Sequence, residues 1–385
     1  MNEESITIII GGDFVPTKGN HVFFQNEDIE GLIGNKCWEL FKNSDLRVIN
    51  LETPLSDATS PIVKWGPNLH APVDSIKTIK KIGINIVGIA NNHIMDQGVD
   101  GLETTIKTLD AYGIQHVGAG NPYEESTRVI KKHVKGKTIA MYACCENEFS
   151  TLNNMGANPF DIFETFDHLI SIKESCDVLV VLFHGGIEQY RYPTPRMQKI
   201  AHKAIDSGAD IFISQHSHCI GAYEDYKGKT IVYGQGNFIF DVEDNEFWNS
   251  GLLIKLIIKD KIGVEYIPIV RNGSGIVIAD EKECNSILEA YEKRSEDILL
   301  PGFVEKNLHN YSKKHIYNYL RLFGGSATGN IFYRGINKIT NNHLSKKTFG
   351  KKKVACILDY MRCESLNDFI VAGCMEILNE NGVLK

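Results

Sequence analysis

Seven short, continuous apolar runs dominated by β-branched residues constrain this chain most: Ile6–Ile10, Leu46–Ile49, Ile84–Ile89, Ile139–Ala143, Val178–Phe183, Ile211–Ile213 and Ile231–Tyr233. A strand half-exposed to water alternates apolar and polar residues, whereas a strand covered on both faces reads as an unbroken apolar run. Between these runs, Ile76–Ile82, Leu102–Tyr112 and Gln198–Ser207 carry apolar residues at helical spacing. The alternation predicts a layered α/β fold with largely parallel or mixed pairing.

Two further runs, Leu252–Ile258 and Val264–Val270, flank Lys259-Asp260-Lys261 and predict a hairpin that closes a first domain spanning 1–275. The remainder, 276–385, is expected to be mainly helical. There Leu308, Tyr311, His315, Tyr319 and Leu322 recur at helical spacing, and Ser365 with Asp368 resembles a capping box. The stretch from Gly324 to Gly329 and the lysines of 346–353 read as mobile loops.

No stretch approaches the roughly eighteen apolar residues of a membrane span. The N-terminus runs directly into Ile6–Ile10 without a basic flank, so it reads as a first core strand rather than a secretory signal, and a cytoplasmic location is expected. Nine cysteines without zinc-type spacing fit reduced core thiols, with Cys144 and Cys145 as buried strand residues. A net charge of -7 gives no reason to expect nucleic acid. Yet 306–353 holds eleven Lys or Arg and no Asp or Glu, which suits contact with a polyanion or a peripheral membrane surface.

Six of the seven runs end in polar residues: Asp13; Asn50 and Glu52; Asn91-Asn92-His93 with Asp96; His184 with Glu188; His216-Ser217-His218; and Asn237. The carboxyl ends of strands in an open α/β sheet converge on one crevice, so these residues can face a common point. A lone Asp or Asn after a strand is ordinarily a turn former or helix cap, and a lone buried His ordinarily a hydrogen-bonded core residue. Their repetition at strand exits points instead to one or two divalent ions, Mn, Fe or Zn, held by oxygen and imidazole ligands. Two ions about 3.5 to 4 Å apart can share a bridging carboxylate and activate water at neutral pH.

Other catalytic signatures are weak. Gly11-Gly12-Asp13 lacks the Gly-Lys-Ser/Thr ending of a phosphate-binding loop, and Gly118-Ala119-Gly120 lacks the third glycine of a dinucleotide fingerprint. No G-x-S-x-G elbow occurs.

The chain resembles the CapA family of capsule and poly-γ-glutamate synthesis proteins, within the calcineurin-like metallophosphoesterase superfamily. The resemblance rests on Gly12-Asp13, Asn50-Leu51-Glu52-Thr53-Pro54-Leu55, Ala90 to Gly98, Gly118-Ala119-Gly120, His184 to Glu188, Ser207 to Asp210, His216-Ser217-His218 and Tyr233 to Phe238. It implies a four-layer α/β/β/α sandwich with a C-terminal helical extension. It also implies a first ion on Asp13 and His218, a bridging Glu52, and a second ion on Asn92, His184 and His216. His93 would be the general acid that protonates the leaving group.

Four positions depart from the broader superfamily. Val15 stands where a histidine is usual, so the first ion is expected to lack one ligand. Asn50 and Glu52 replace the more usual Gly-Asp, and Gln235 stands where many relatives have a small apolar residue. Asn50, Asn91 and Asn237 are expected to face the substrate. Lys64, on the loop carrying Asn68 and His70, and Glu188, Arg191 and Arg196, on the loop leaving His184, are expected to contact it too. The expected substrate is an anionic small molecule or polymer, with a phosphoester of a cell-envelope precursor as the leading reading. A γ-glutamyl or other amide is the enzymatic alternative, and a non-catalytic accessory role in capsule or poly-γ-glutamate assembly the third reading.

Overall fold

The computed structural model describes residues 4–120, 123–151, 155–242 and 245–380, which form two compact units, Met1–Pro301 and Gly302–Lys385. In chain order the strands are β1 (Ile6–Phe14), β2 (Leu46–Leu51), β3 (Ile86–Gly88), β4 (Gln115–Val117), β5 (Ala119–Gly120), β6 (Ile130–Val134), β7 (Lys137–Cys145) and β8 (Gly156–Ala157). They continue with β9 (Val178–His184), β10 (Ile211–Gln215), β11 (Tyr223–Tyr226), β12 (Lys229–Tyr233), β13 (Asn237–Ile239), β14 (Ser250–Ile258), β15 (Ile262–Asn272) and β16 (Gly275–Ile278).

The first sheet runs β16-β15-β14-β1-β2-β3-β4, with β13 pairing off β1; the second runs β11-β12-β10-β9-β7-β6. In the first, β1 to β4 are parallel and β14 to β16 continue the sheet antiparallel; in the second, the central strands are parallel and antiparallel β11 and β6 close the two edges. The apolar runs are unbroken because both faces of each sheet are covered. Val178, Val180 and Leu182 of β9 join the core between the sheets. On the opposite face of the second sheet Phe183 stacks on Phe212, and Phe160 meets both Phe183 and Phe166 edge-on. Each such fully buried side chain contributes about 1.5–3 kcal/mol relative to exposure.

The outer layers are amphipathic helices. Gly98–Ala111 packs on β4 and buries Leu102 and Leu109, while Ser75–Ile82 buries Ile76, Ile79 and Ile82. Glu164–Lys173 lies on β9, and Pro195–Asp206 on β10. Pro195–Asp206 starts where the chemistry predicts: Pro195 occupies the first turn and the Thr194 side chain accepts a hydrogen bond from Met197 N. The layers are thus helix, sheet, sheet and helix, as the resemblance implies.

Three C-terminal expectations change. The first unit ends at Pro301 rather than near 275, because β16 pairs with β15 and the helix Glu281–Leu299, capped by Asp280 and Glu283, packs on β11 and β15. The segments read as mobile loops are largely helical: Ser326–Gly329, His343–Thr348 and Lys351–Arg362. Glycines and lysines there punctuate short helices instead of replacing them. The last helix begins at Glu364, so Ser365 lies inside it rather than at its cap. All nine cysteines are free; Cys37, Cys144, Cys145 and Cys219 are buried, whereas Cys356 and Cys374 are exposed.

Candidate metal centre

Asp13 is aimed by an irregularity in β1, whose register against both β2 and β13 shifts around this residue. The preceding Gly12 is obligatory: a Cβ there would lie 2.0 Å from the carbonyl oxygen of Gly236, where β1 and β13 converge. Glu52 follows β2, with its amide donating to Phe14 O at 3.2 Å. Asn92 follows β3, and all three come from the first sheet. His184 ends β9, and His216 and His218 follow β10 on the second. Both of the latter residues have positive φ, 87° and 51°, a left-handed backbone that turns two imidazoles back toward the first sheet.

Two triads result, Glu52–His184–His216 and Asp13–Glu52–His218, each with ligand atoms within 4.8 Å of one another. His184 Nε2 is 3.3 Å from Glu52 Oε1, 3.1 Å from His216 Nδ1 and 3.0 Å from Asn92 Oδ1. His218 Nδ1 is 3.4 Å from Asp13 Oδ2, and its Nε2 is 4.0 Å from Glu52 Oε1. Both carboxylate oxygens of Glu52 are buried without a hydrogen-bond partner. A buried carboxylate that makes ion-pair contacts with His184 and His218 and belongs to both triads is the donor set of a pair of divalent ions sharing Glu52, so the residues fit them.

The electrostatics of the ligands follow from their crowding. Burial opposes ionisation of Asp13, but the His218 hydrogen bond and the nearby His184 outweigh it and hold its carboxyl down at about 2. Burial also disfavours charge on His218, yet Glu52 and Asp13 push it up to about 10. His184 is raised in the same way, against its burial, by Glu52 and Asp13. His216 is driven well below the usual imidazole range by burial and by its neighbours His184 and His218.

Several residues expected to face substrate instead support ligands. The Asn50 amide donates to Asp13 Oδ1 at 2.7 Å and lies 3.1 Å from His184 Nδ1, while its own oxygen accepts from Asn91 Nδ2. Asn91 also donates to Leu51 O, tying the exit of β3 to that of β2. Asn237 Oδ1 is 2.9 Å from His218 Nδ1, and its Nδ2 is a buried atom without a partner. Such side chains orient metal ligands.

Lys64 is likewise not a substrate clamp. Its side chain is 4% exposed and paired with Asp96, with Nζ 3.2 Å from His93 Nδ1. Asp96 also accepts from Leu69 N and lies 2.6 Å from His93 Nδ1. Arg191 is spent on structure: it donates to Ile220 O and Glu246 O and lies over the Phe247 ring. Arg196 is exposed on the helix Pro195–Asp206. Glu188 is exposed, with its charge acting on His218.

Val15 is buried, and its amide donates to Ile239 O. The departure at Gln235 is structural. Its amide donates to Ile10 O and Leu252 O, and its oxygen accepts from Gln215, which also donates to Gly11 O. These two glutamines join the sheets beneath the centre.

Glu146 and Glu148 were missed by reasoning from sequence. They follow β7, whose exit obeys the same strand-end rule. Glu146 accepts from Gly186 N at 3.1 Å, next to His184. Glu148 bonds Asn92 and sits in the fields of His184, Glu146 and His93; burial raises its pKa. Trp248 and Phe240 form an aromatic wall against His218, at ring-centroid distances of 4.7 and 5.4 Å.

Residues 7–242 match the family model described as bacterial capsule synthesis protein PGA_cap. The chain is similar to the capsule biosynthesis protein CapA of Bacillus anthracis, 30% identical over 52% of this chain and 51% of that protein. It is also similar to the PGA biosynthesis protein CapA of Bacillus subtilis, 32% identical over 52% of this chain and 55% of that protein. The chain therefore spans about half the length of these curated relatives. Among solved structures, a phosphatase from Mycoplasma pneumoniae aligns with a TM-score of 0.45 and 16% identity, over 74% of this chain and 97% of that one.

Proposed function

The chain belongs to the PGA_cap family of bacterial capsule synthesis proteins, and from that premise we propose that it is a metal-dependent hydrolase serving capsule or poly-γ-glutamate assembly. The observation that carries this reading is Glu52, a fully buried carboxylate shared by two histidine-containing triads. Asp13, Glu52 and His218 would hold one ion, and Glu52, His184 and His216, with Asn92, the other. Such ions, when bound, supply Lewis-acid polarisation of the scissile group and a lowered pKa for water.

The chain's own residues supply orientation and a proton. Asp96 ties His93 Nδ1 and leaves Nε2 as the nitrogen able to protonate a departing oxygen or nitrogen. Asn50 and Asn91 fix the ligands, and the aromatic wall of Trp248 and Phe240 shields one side of His218 from water.

A phosphoester is the leading substrate. A second reading, cleavage of a γ-glutamyl or other amide bond, is favoured by the carboxylates of Glu146, Glu148 and Glu188 around the centre, with Lys64 neutralised by Asp96. Carboxylates near the centre repel a phosphate dianion more strongly than a neutral amide group.

The test is metal analysis of the purified protein with turnover of nitrophenyl phosphomonoesters, phosphodiesters and γ-glutamyl anilides in manganese buffer. Bound metal with turnover that vanishes in His216→Ala, at unchanged circular dichroism, supports the hydrolase. A metal-free, inactive protein refutes it and leaves an accessory role.

A further inference from the structure

In the helix Ile331–Ile339 the usual relation between apolar and polar faces is inverted. Ile331 is 75% exposed, Phe332 80%, Ile336 47% and Ile339 86%. At about 100° per residue these four side chains fall within an arc of about 140°. The opposite side carries Asn337, only 6% exposed, whose amide donates to Ser345 Oγ and whose oxygen accepts from Ser345 N. The helix is thus fastened to the following one by a polar residue while its apolar face turns outward. A soluble helix ordinarily does the reverse.

The charge around this face identifies what covers it. Lys338 and Arg334 border the apolar arc and are exposed, as are Lys346, Lys347 and Lys351 to Lys353. No acidic residue occurs from 306 to 353 to neutralise them. Exposed aromatic and aliphatic side chains rimmed by lysine and arginine match a surface that is anionic outside and apolar just beneath. A soluble polyanion would supply the charge without the apolar part. Among the described residues no helix is long and apolar enough to cross a membrane, so the contact is interfacial.

We propose that the C-terminal unit docks on an anionic lipid surface, inserting Phe332 and Ile339 between headgroups while the surrounding lysines bind phosphates. This inference is independent of the hydrolase reading.

The experiment is co-sedimentation of the full chain with vesicles of mixed phosphatidylglycerol and phosphatidylcholine, and with vesicles of phosphatidylcholine alone. The protein sediments with the first, remains in solution with the second, and is released by salt. The double variant Phe332→Glu, Ile339→Glu lowers vesicle binding by at least about tenfold, with circular dichroism and metal content unchanged. Both residues are solvent-exposed, so the variant folds. Equal vesicle binding by variant and parent, lost when Lys351 to Lys353 become glutamine, shows a purely electrostatic contact without insertion and overturns the proposal. A concentration-dependent dimer of the parent that the double variant abolishes, without vesicle binding, assigns the face to a second copy and overturns it too.

Discussion

Asp96 holds His93 by its Nδ1, at 2.6 Å from Oδ2, and is itself held by the Leu69 amide and the Lys64 ammonium. His93 is therefore set by a carboxylate that cannot swing away. Asp96→Asn is expected to lower turnover about 10–100-fold. The loss is larger for substrates with alkoxide leaving groups than for nitrophenyl esters, which need no proton. Equal losses for both leaving groups would remove His93 from the acid role.

Because Glu52 belongs to both triads, Glu52→Gln is expected to empty both ion positions together. His218→Ala affects the Asp13 side first. Metal-to-protein ratios by plasma mass spectrometry distinguish the two. A Glu52→Gln protein that keeps a full ion complement would disprove the bridging assignment.

Gln235→Leu removes two donors from buried carbonyls and the acceptor of Gln215. Each orphaned buried group costs about 1–3 kcal/mol. The urea midpoint should fall clearly, with little change in the slope. A midpoint within error of the parent would mean that the glutamine pair does not join the sheets.

If Glu148 repels phosphate at the mouth, Glu148→Gln raises kcat/KM for phosphoesters relative to γ-glutamyl anilides by about threefold to tenfold, the scale of one partly screened charge. An unchanged ratio excludes it from substrate choice.

Asp210 lies away from the centre and offers a test of acid stability. Burial opposes its ionisation, but Lys173, Lys229 and the Leu179 amide outweigh this and hold its pKa below 3.8. Its contribution is therefore fully present above the unfolded value of 3.8 and lost as pH falls through the lower folded value. The stability gap between parent and Asp210→Asn should be constant near neutrality and shrink below about pH 4, measured by urea titration at descending pH.

Much of this was legible in sequence because strand exits announce themselves. Asp13, Glu52, Asn92, His184, His216 and His218 each follow an apolar run, and parallel strands deliver such positions to one edge. Glu146 and Glu148 obey the same rule after β7, but Cys144 and Cys145 prolong the apolar run and blur where that strand ends. Roles were harder to read than membership. Asn50 and Lys64 looked available to a substrate, yet each is consumed by a partner distant in sequence, Asp13 and Asp96. Such pairings depend on tertiary approach, which local pattern does not encode. The short C-terminal helices were hidden by glycine, whose poor helical tendency is overridden by packing such as that of Asn337 on Ser345, while the lysines read as loop residues are good helix formers.

Asp13, Glu52 and Asn92 ride on one sheet, and His184, His216 and His218 on the other. An ion bound by both sets is a crosslink across the sandwich. A folding intermediate with only one sheet formed would have no complete binding site, so metal would be captured late, after the halves have met. Once captured, it would resist their parting. Chelation would then act as a mechanical release: it speeds unfolding of the loaded protein while leaving the early steps of refolding unchanged.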